Sequence, residues 1–568
     1  MDDMNNEKIT LRDRIENLFQ KFVQIFSEYP FTLGAIILVG LIYAIEFDDM
    51  SMLAERIVFF LLVFSAGSLF TEEMCRGQIN IFGKDISRNT FRAVGLFISG
   101  LFSLFVVWFM DLTERLYKTE SDPTILGIKV EYCEEVIAKL LTFIIPVLIL
   151  FAVYGMYKKS GASFKKYCIG VFSQTMKVSL IYLIFAIGIA IIYGIFDVLI
   201  FTLDYDILIR LEIILFVAIY VPALIKAFSS IKEEIGKFAK VVVLYALFVL
   251  LLAAFAIIYL YIIRILSDGE FPSNEVFNIL SWLFALGAPI WTMAMNFDDE
   301  ILGKISRKMP FVFIPCIILQ MICIGIRVAT YGITVNRYMA IALIIFEIIY
   351  LVIFALSKGE QVERVVFAVP VMLFVIIWMP VINASSCTVL SQGARLEKIW
   401  ESKDGLSAKE QSEARQIYNE IYYSGMRGHM YLEQHFTKAE IEEIESFEWY
   451  YYDSDYNRPV MKYYSWGQSN YRMTMYDISD YSAMTVVDKS YYDKDDYLLE
   501  IDDGNGDAII YDIKEQMEAF IEDEDEYFIY NNPIKVADDT YLWVDHISLN
   551  TRDGEMDYLY IQGIMFYK

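Results

Sequence analysis

The 568 residues contain six cysteines, all of them before residue 396 and none spaced as CxxC. No redox pair or thiolate metal centre is indicated. Cys316 and Cys323, seven apart, read as two apolar-facing thiols on one helix. Beyond Cys387 there is no cysteine, so a fold there rests on its own core without disulfides. Histidine is scarcer, with three in the chain; His429 and His435 lack the HExxH arrangement of a zinc protease. No nucleophile–base constellation, phosphate-cradling glycine loop or internal repeat is visible, and no catalytic residue, metal or cofactor is expected. Basic charge is missing where nucleic acid would need it. Residues 396–568 hold 15 Lys and Arg against 38 Asp and Glu, a net of −23 that cannot neutralise phosphates.

The first part of the chain has the opposite character. Residues 1–395 carry 32 basic against 35 acidic side chains, a net of −3, spread through long apolar runs. The change from apolar and near-neutral to polar and acidic marks a domain boundary. A window of about 20 apolar residues, the length a bilayer requires, picks out eleven spans: 31–47, 57–71, 93–112, 138–157, 178–200, 207–228, 241–264, 276–296, 311–330, 338–357 and 365–383. The second is short and is extended back toward Met52. The expected fold is a membrane all-α bundle of about eleven transmembrane helices followed by a soluble α+β domain.

Four regions follow: a cytoplasmic amphipathic segment (1–30), a polytopic membrane domain (31–383), a linker helix (384–401) and an acidic extracytoplasmic α+β domain (402–568). In the first, Leu18, Phe19, Phe22, Ile25 and Phe26 recur at helical spacing beside charges, as in an interfacial helix. No small-residue cleavage site follows the first apolar run, so it does not read as a signal peptide.

Lys and Arg in short loops set the orientation. With the N-terminus inside, the inner segments hold 21 basic residues, and the outer loops with their helix edges hold eight. An odd number of spans then places residues 402–568 outside, in a multi-pass protein of the plasma membrane. The partners expected are the lipid bilayer and an unidentified extracytoplasmic ligand or protein.

Glu347 stands in the middle of the apolar stretch "RYMAIALIIFEIIYLVIFALS". A carboxylate at the centre of a membrane helix costs about 2.5–3.5 kcal/mol on insertion scales. It lies about ten residues from the outer end of its span, roughly 15 Å deep at 1.5 Å per residue. Gln320 sits at comparable depth on the preceding span, and Arg327 lies nearer the outer surface. A protonated Glu347 hydrogen-bonded to Gln320 is the favoured arrangement, and an ion pair to Arg327 across two helical turns is the alternative. The cluster reads either as interhelical glue or as a proton or substrate relay.

In the acidic region, "SAKEQSEARQIYNEIYYS" and "TKAEIEEIESF" each open with Ser or Thr and an acid in the first turn, predicting two helices. After Trp449 come short aromatic and β-branched runs such as "AMTVVDKSYY", "YLWVDHISL" and "DYLYIQGIMFY", predicting an antiparallel sheet. A short helix is expected near "KEQMEAFI". "DDGNGD" resembles the start of a calcium loop at Asp503, Asn505 and Asp507, but Ala508 replaces the required glycine and no Glu follows at the twelfth place, so a hairpin turn is the better reading. Many of the tyrosines fall here, and an aromatic sheet core explains them more simply than a sugar-stacking surface.

In "RVATYGITVNRY", the residues Arg327, Tyr331, Gly332, Thr334, Arg337 and Tyr338 resemble a signature of the bacterial multi-pass membrane proteins grouped as domain-of-unknown-function 4153. "SQGARLEK", with Gln392 and Arg395, resembles the segment that follows the last span in that family. The resemblance covers the membrane part, most clearly residues 240–400. It implies that architecture and no established reaction, substrate or catalytic residue. Gly332 suits a five- or six-residue outer turn that needs a positive φ. Arg337 and Tyr338 suit interfacial anchoring of the next helix. The signature reads as a tight anchored turn or as a turn that grips a ligand.

Overall fold

The computed structural model describes residues 20, 23–47, 50–76, 80–81, 84–85, 87–119, 122–199, 204–230, 236–268, 274–447, 461–467, 483–492, 498–502, 508–514, 534–537, 540–552 and 555–567. Leu18, Phe19 and Phe22 of the interfacial segment, the "DDGNGD" residues Asp503, Asn505 and Asp507, and the helix expected near "KEQMEAFI" past Lys514 lie outside them.

Among the described residues, nine helices are long and apolar enough to cross a bilayer: Met52–Met74, Arg88–Thr119, Val130–Ser160, Phe164–Asp197, Tyr205–Ser229, Lys237–Ile265, Val276–Ala294, Met309–Tyr331 and Val335–Ser357. The first and last of the eleven expected spans correspond to shorter elements. Pro30–Ile45 has 16 residues and opens with proline in its first turn, where the missing N–H costs nothing. At the other end, a 3₁₀ turn over Val362–Phe367 leads into an 11-residue helix, Ala368–Trp378. That helix stops because Met379 precedes Pro380 and is forced into an extended conformation.

The turn at Gly332 is also tighter than expected. Only Gly332, Ile333 and Thr334 separate Tyr331 from Val335. Thr334 is the N-cap, its side chain accepting from Arg337 N, so the next helix begins earlier than its apolar run alone indicates.

Helices from the second half of the membrane part enclose an aromatic centre of Phe284, Trp291, Phe313 and Tyr350. The Trp291 indole donates to the Tyr350 hydroxyl at 2.7 Å, which satisfies both polar groups. In lipid such packing and hydrogen bonding hold helices together, because a side chain gains nothing by exchanging acyl chains for other hydrocarbon. The same reasoning explains Phe164–Asp197, whose apolar window has no buried residue.

The chain divides into two compact units: Met1–Leu396 with Asn419–Phe436, and Glu397–Tyr418 with Thr437–Lys568. The second contains an antiparallel sheet built on the hairpin of Thr540–Arg552 and Glu555–Tyr567. Met461–Gly467 and Ile534–Ala537 both pair with the first hairpin strand, and Ala483–Tyr492 pairs with the second. Leu498–Asp502 and Ala508–Asp512 form a separate pair. Lys438–Ser446 opens with the expected capping box, in which Thr437 and Glu440 satisfy each other's backbone N–H groups.

Candidate functional site

The two segments that carry the signature residues meet at the end of Ile314–Tyr331. A helix C-terminus leaves carbonyls without intrahelical donors, and three side chains supply them. Gln392 Nε2 donates to Tyr331 O at 3.0 Å and to Ile333 O at 2.9 Å. Arg337 Nη1 donates to Tyr331 O at 3.1 Å and to Gly332 O at 3.0 Å. Arg395 Nη1 also donates to Tyr331 O and, at 3.0 Å, to Gln392 Oε1. Ser391 Oγ accepts from Ile333 N at 2.7 Å. Gln392 is fully buried, so its hydrogen bonds are made away from water.

Gly332 has φ +69° and ψ −174°, a conformation open almost only to glycine. A Cβ there would stand 2.7 Å from Ser391 Oγ and 3.1 Å from Gln392 Nε2. Gly393, inside the second segment, is required for a different reason: a Cβ would run into the ring of Tyr431 on the helix Met426–His435. That helix is held at its N-terminus by Glu135, whose Oε2 accepts from Met426 N at 2.7 Å. Tyr338 donates to Ile382 O at 2.5 Å, tying Val335–Ser357 to the chain that follows Ala368–Trp378.

The deep polar pair lies in the same helices. Gln320 Nε2 is 3.4 Å from Glu347 Oε1 and 3.4 Å from Ser281 Oγ. Both Gln320 and Glu347 are completely enclosed. Gln320 Oε1 and Glu347 Oε2 have no hydrogen-bond partner among the described residues. The charge of Arg327 acts on Cys323 and Arg337, toward the turn.

A second buried cluster escaped the sequence reading. Glu72 and Glu73 lie in the last turn of Met52–Met74 and are both buried. Glu72 accepts from Phe31 N at 3.0 Å, Thr32 N at 3.1 Å and Thr32 Oγ1 at 2.8 Å, so it caps Pro30–Ile45, and it pairs with Arg92 at 2.9 Å. Glu73 pairs with Lys159 at 2.8 Å and Arg76 at 3.3 Å and accepts from the Tyr29 hydroxyl. Burial and the Glu73 charge push the Tyr29 phenol well above its ordinary range, so it keeps the proton it donates. The missed signal was "TEE" at the end of an apolar run, read as the start of a loop.

His429 lies against Tyr422 with its ring tilted by 32° and the centroids 4.4 Å apart, and has Nδ1 3.6 Å from Glu131. No group of three His, Cys, Asp or Glu side chains suited to a metal ion occurs among the described residues.

A family model described as a domain of unknown function (DUF4153) matches residues 33–401, well over half of the chain. No curated protein and no solved structure matches.

Proposed function

Since this chain belongs to the domain-of-unknown-function 4153 family, we propose that it is a non-enzymatic binding protein of the bacterial cell envelope, a sensor or partner-binding scaffold embedded in the plasma membrane. In this reading the N-terminus is cytoplasmic, all eleven segments cross, and residues 402–568 lie outside. The observation that carries it is the clamp at Tyr331–Ile333. Its family-signature side chains spend their hydrogen bonds on backbone carbonyls of a turn, which suits holding a membrane helix pair and the departing helix Ala384–Trp400 in one arrangement. Gln392 does not titrate and an arginine keeps its proton, so these groups offer no general acid–base pair. The basic bias of alternate loops supports the orientation. Transport through Glu347 has less support, because that carboxyl and Gln320 are fully enclosed.

The test is a single cysteine at Tyr423, which is 81% exposed, in a version lacking the six native cysteines. A membrane-impermeant maleimide is expected to label Tyr423→Cys in intact cells. Labelling only after lysis would put this surface in the cytoplasm and overturn the reading.

A further inference from the structure

Arg337 uses one edge of its guanidinium to cap the helix end. Nη1 reaches Tyr331 O and Gly332 O, and the planar group lies over the Tyr331 ring, 5.4 Å from its centroid. Among the described residues Nε and Nη2 have no hydrogen-bond partner, and no carboxylate forms an ion pair with this half-buried cation. Arg395 donates to the same carbonyl oxygen, which keeps the two Nη1 atoms within about 6 Å of each other at ordinary hydrogen-bond lengths. Arg327 is close enough for its charge to act on Arg337 as well, with Glu420 and the Tyr331 phenol acting in the opposite sense.

The helix C-terminus contributes only about half a negative charge. Arg395 and Arg327 have further partners of their own; the fork that meets the ligand is that of Arg337. A guanidinium with a free fork, held rigidly beside two more arginines, has the geometry that takes an oxyanion through two parallel N–H···O bonds. We propose that the signature turn is an oxyanion site in which Arg337 grips a phosphate-type group through Nε and Nη2, with Arg395 and Arg327 supplying field. The proposal rests on the binding reading above and names its ligand class. A lipid phosphate headgroup and a free phosphate share the required chemistry.

The full-length protein in neutral detergent would be melted while tryptophan fluorescence is followed. One series adds sodium phosphate against sodium chloride of equal ionic strength. Another adds phosphatidylglycerol against uncharged diacylglycerol. Stabilisation by phosphatidylglycerol alone identifies a headgroup, and stabilisation by inorganic phosphate alone identifies a soluble oxyanion; response to both supports a site open to either. In each case Arg337→Gln is expected to raise the half-effective concentration about tenfold or more, the scale of a lost charge-assisted hydrogen bond. Arg337→Lys keeps the charge and a capping donor but not the fork, so it covers the case where Gln fails to fold. It is expected to weaken the response by about threefold. The site is overturned if neither additive stabilises beyond its control, or if the folded variants respond like wild type. That result beside outside labelling of Tyr423→Cys would remove the oxyanion and leave the binding reading standing.

Discussion

Gln392 reaches across to both sides of Gly332, its single amide nitrogen bonding the carbonyl oxygens of Tyr331 and Ile333. Side chain and glycine need each other, since any Cβ on Gly332 would crowd that nitrogen at 3.1 Å. Gln392→Ala removes one of three side-chain donors to Tyr331 O and the donor to Ile333 O, and is expected to destabilise the membrane unit by about 1–2 kcal/mol. Gly332→Ala adds strain of about 1–3 kcal/mol at the positive φ, besides the clash. Both should lower the detergent melting temperature, and unchanged melting of both would show that the clamp does not contribute to stability.

Gly393 and Tyr431 make a paired prediction. Gly393→Ala should loosen Met426–His435 by forcing its Tyr431 ring away, seen as faster amide exchange across that helix. Combining it with Tyr431→Ala frees the space, so the double variant should exchange more slowly there than Gly393→Ala combined with an intact Tyr431. Strictly additive effects would show that the two residues are not coupled.

Glu73 is a buried anion facing Lys159 and Arg76. Replacing it with Gln removes the counter-charge of Lys159 and leaves Arg76 paired with Glu28 at 3.1 Å. Breaking a buried pair from one side costs about 3–5 kcal/mol, and less where the cations are partly exposed, as both are here. Glu73→Gln should therefore melt below wild type. Glu73→Gln combined with Lys159→Met should recover part of the loss. A single variant as stable as wild type would mean that the cluster is not structural.

These networks differ in how far they could be read in advance. Glu347 and Gln320 stood out because each interrupts an apolar run, and equal depth on successive spans brings them together. The turn was legible as a motif, with Gly332 needing a positive φ. Its partners Ser391 and Tyr431 were not, because nothing local to them signals a contact with Ile333 or with Gly393. Glu72 and Glu73 were misjudged because hydropathy ends a span at the first charges, whereas the hydrogen-bonded helix runs on to Met74. The free N–H groups after Pro30 called for an acceptor, but only the fold shows which one.

Glu440 predicts acid sensitivity in the second unit. Thr437 N, the Trp400 indole, the Thr437 hydroxyl and Lys403 hold its carboxyl down at about 2, from an ordinary 4.5. A depressed folded value stabilises above the unfolded pKa, and that contribution is lost as pH falls from about 4.5 toward 2. Amide exchange over residues 437–446, corrected for intrinsic rate, should accelerate in that window. Glu440→Gln should remove the pH step, and a step that survives in the variant would assign it to another carboxyl.

Glu347 allows glue and relay to be separated. Its only described hydrogen bond is the 3.4 Å contact to Gln320, a length that leaves room for a neutral amide in place of the acid. Glu347→Gln should therefore fold and melt like wild type. Glu347→Leu deprives Gln320 Nε2 of one acceptor, at about 1 kcal/mol for an interhelical hydrogen bond in a membrane, so a small fall in melting temperature is expected. A relay predicts a different pattern, in which both variants remain folded and both lose a proton-linked uptake. Melting temperature and pH-driven flux in proteoliposomes, measured for wild type and both variants, decide between them. Wild-type flux that disappears in the folded Gln variant would make Glu347 a proton carrier. A Leu variant that melts no lower than wild type would mean that the carboxyl is not holding the helices together.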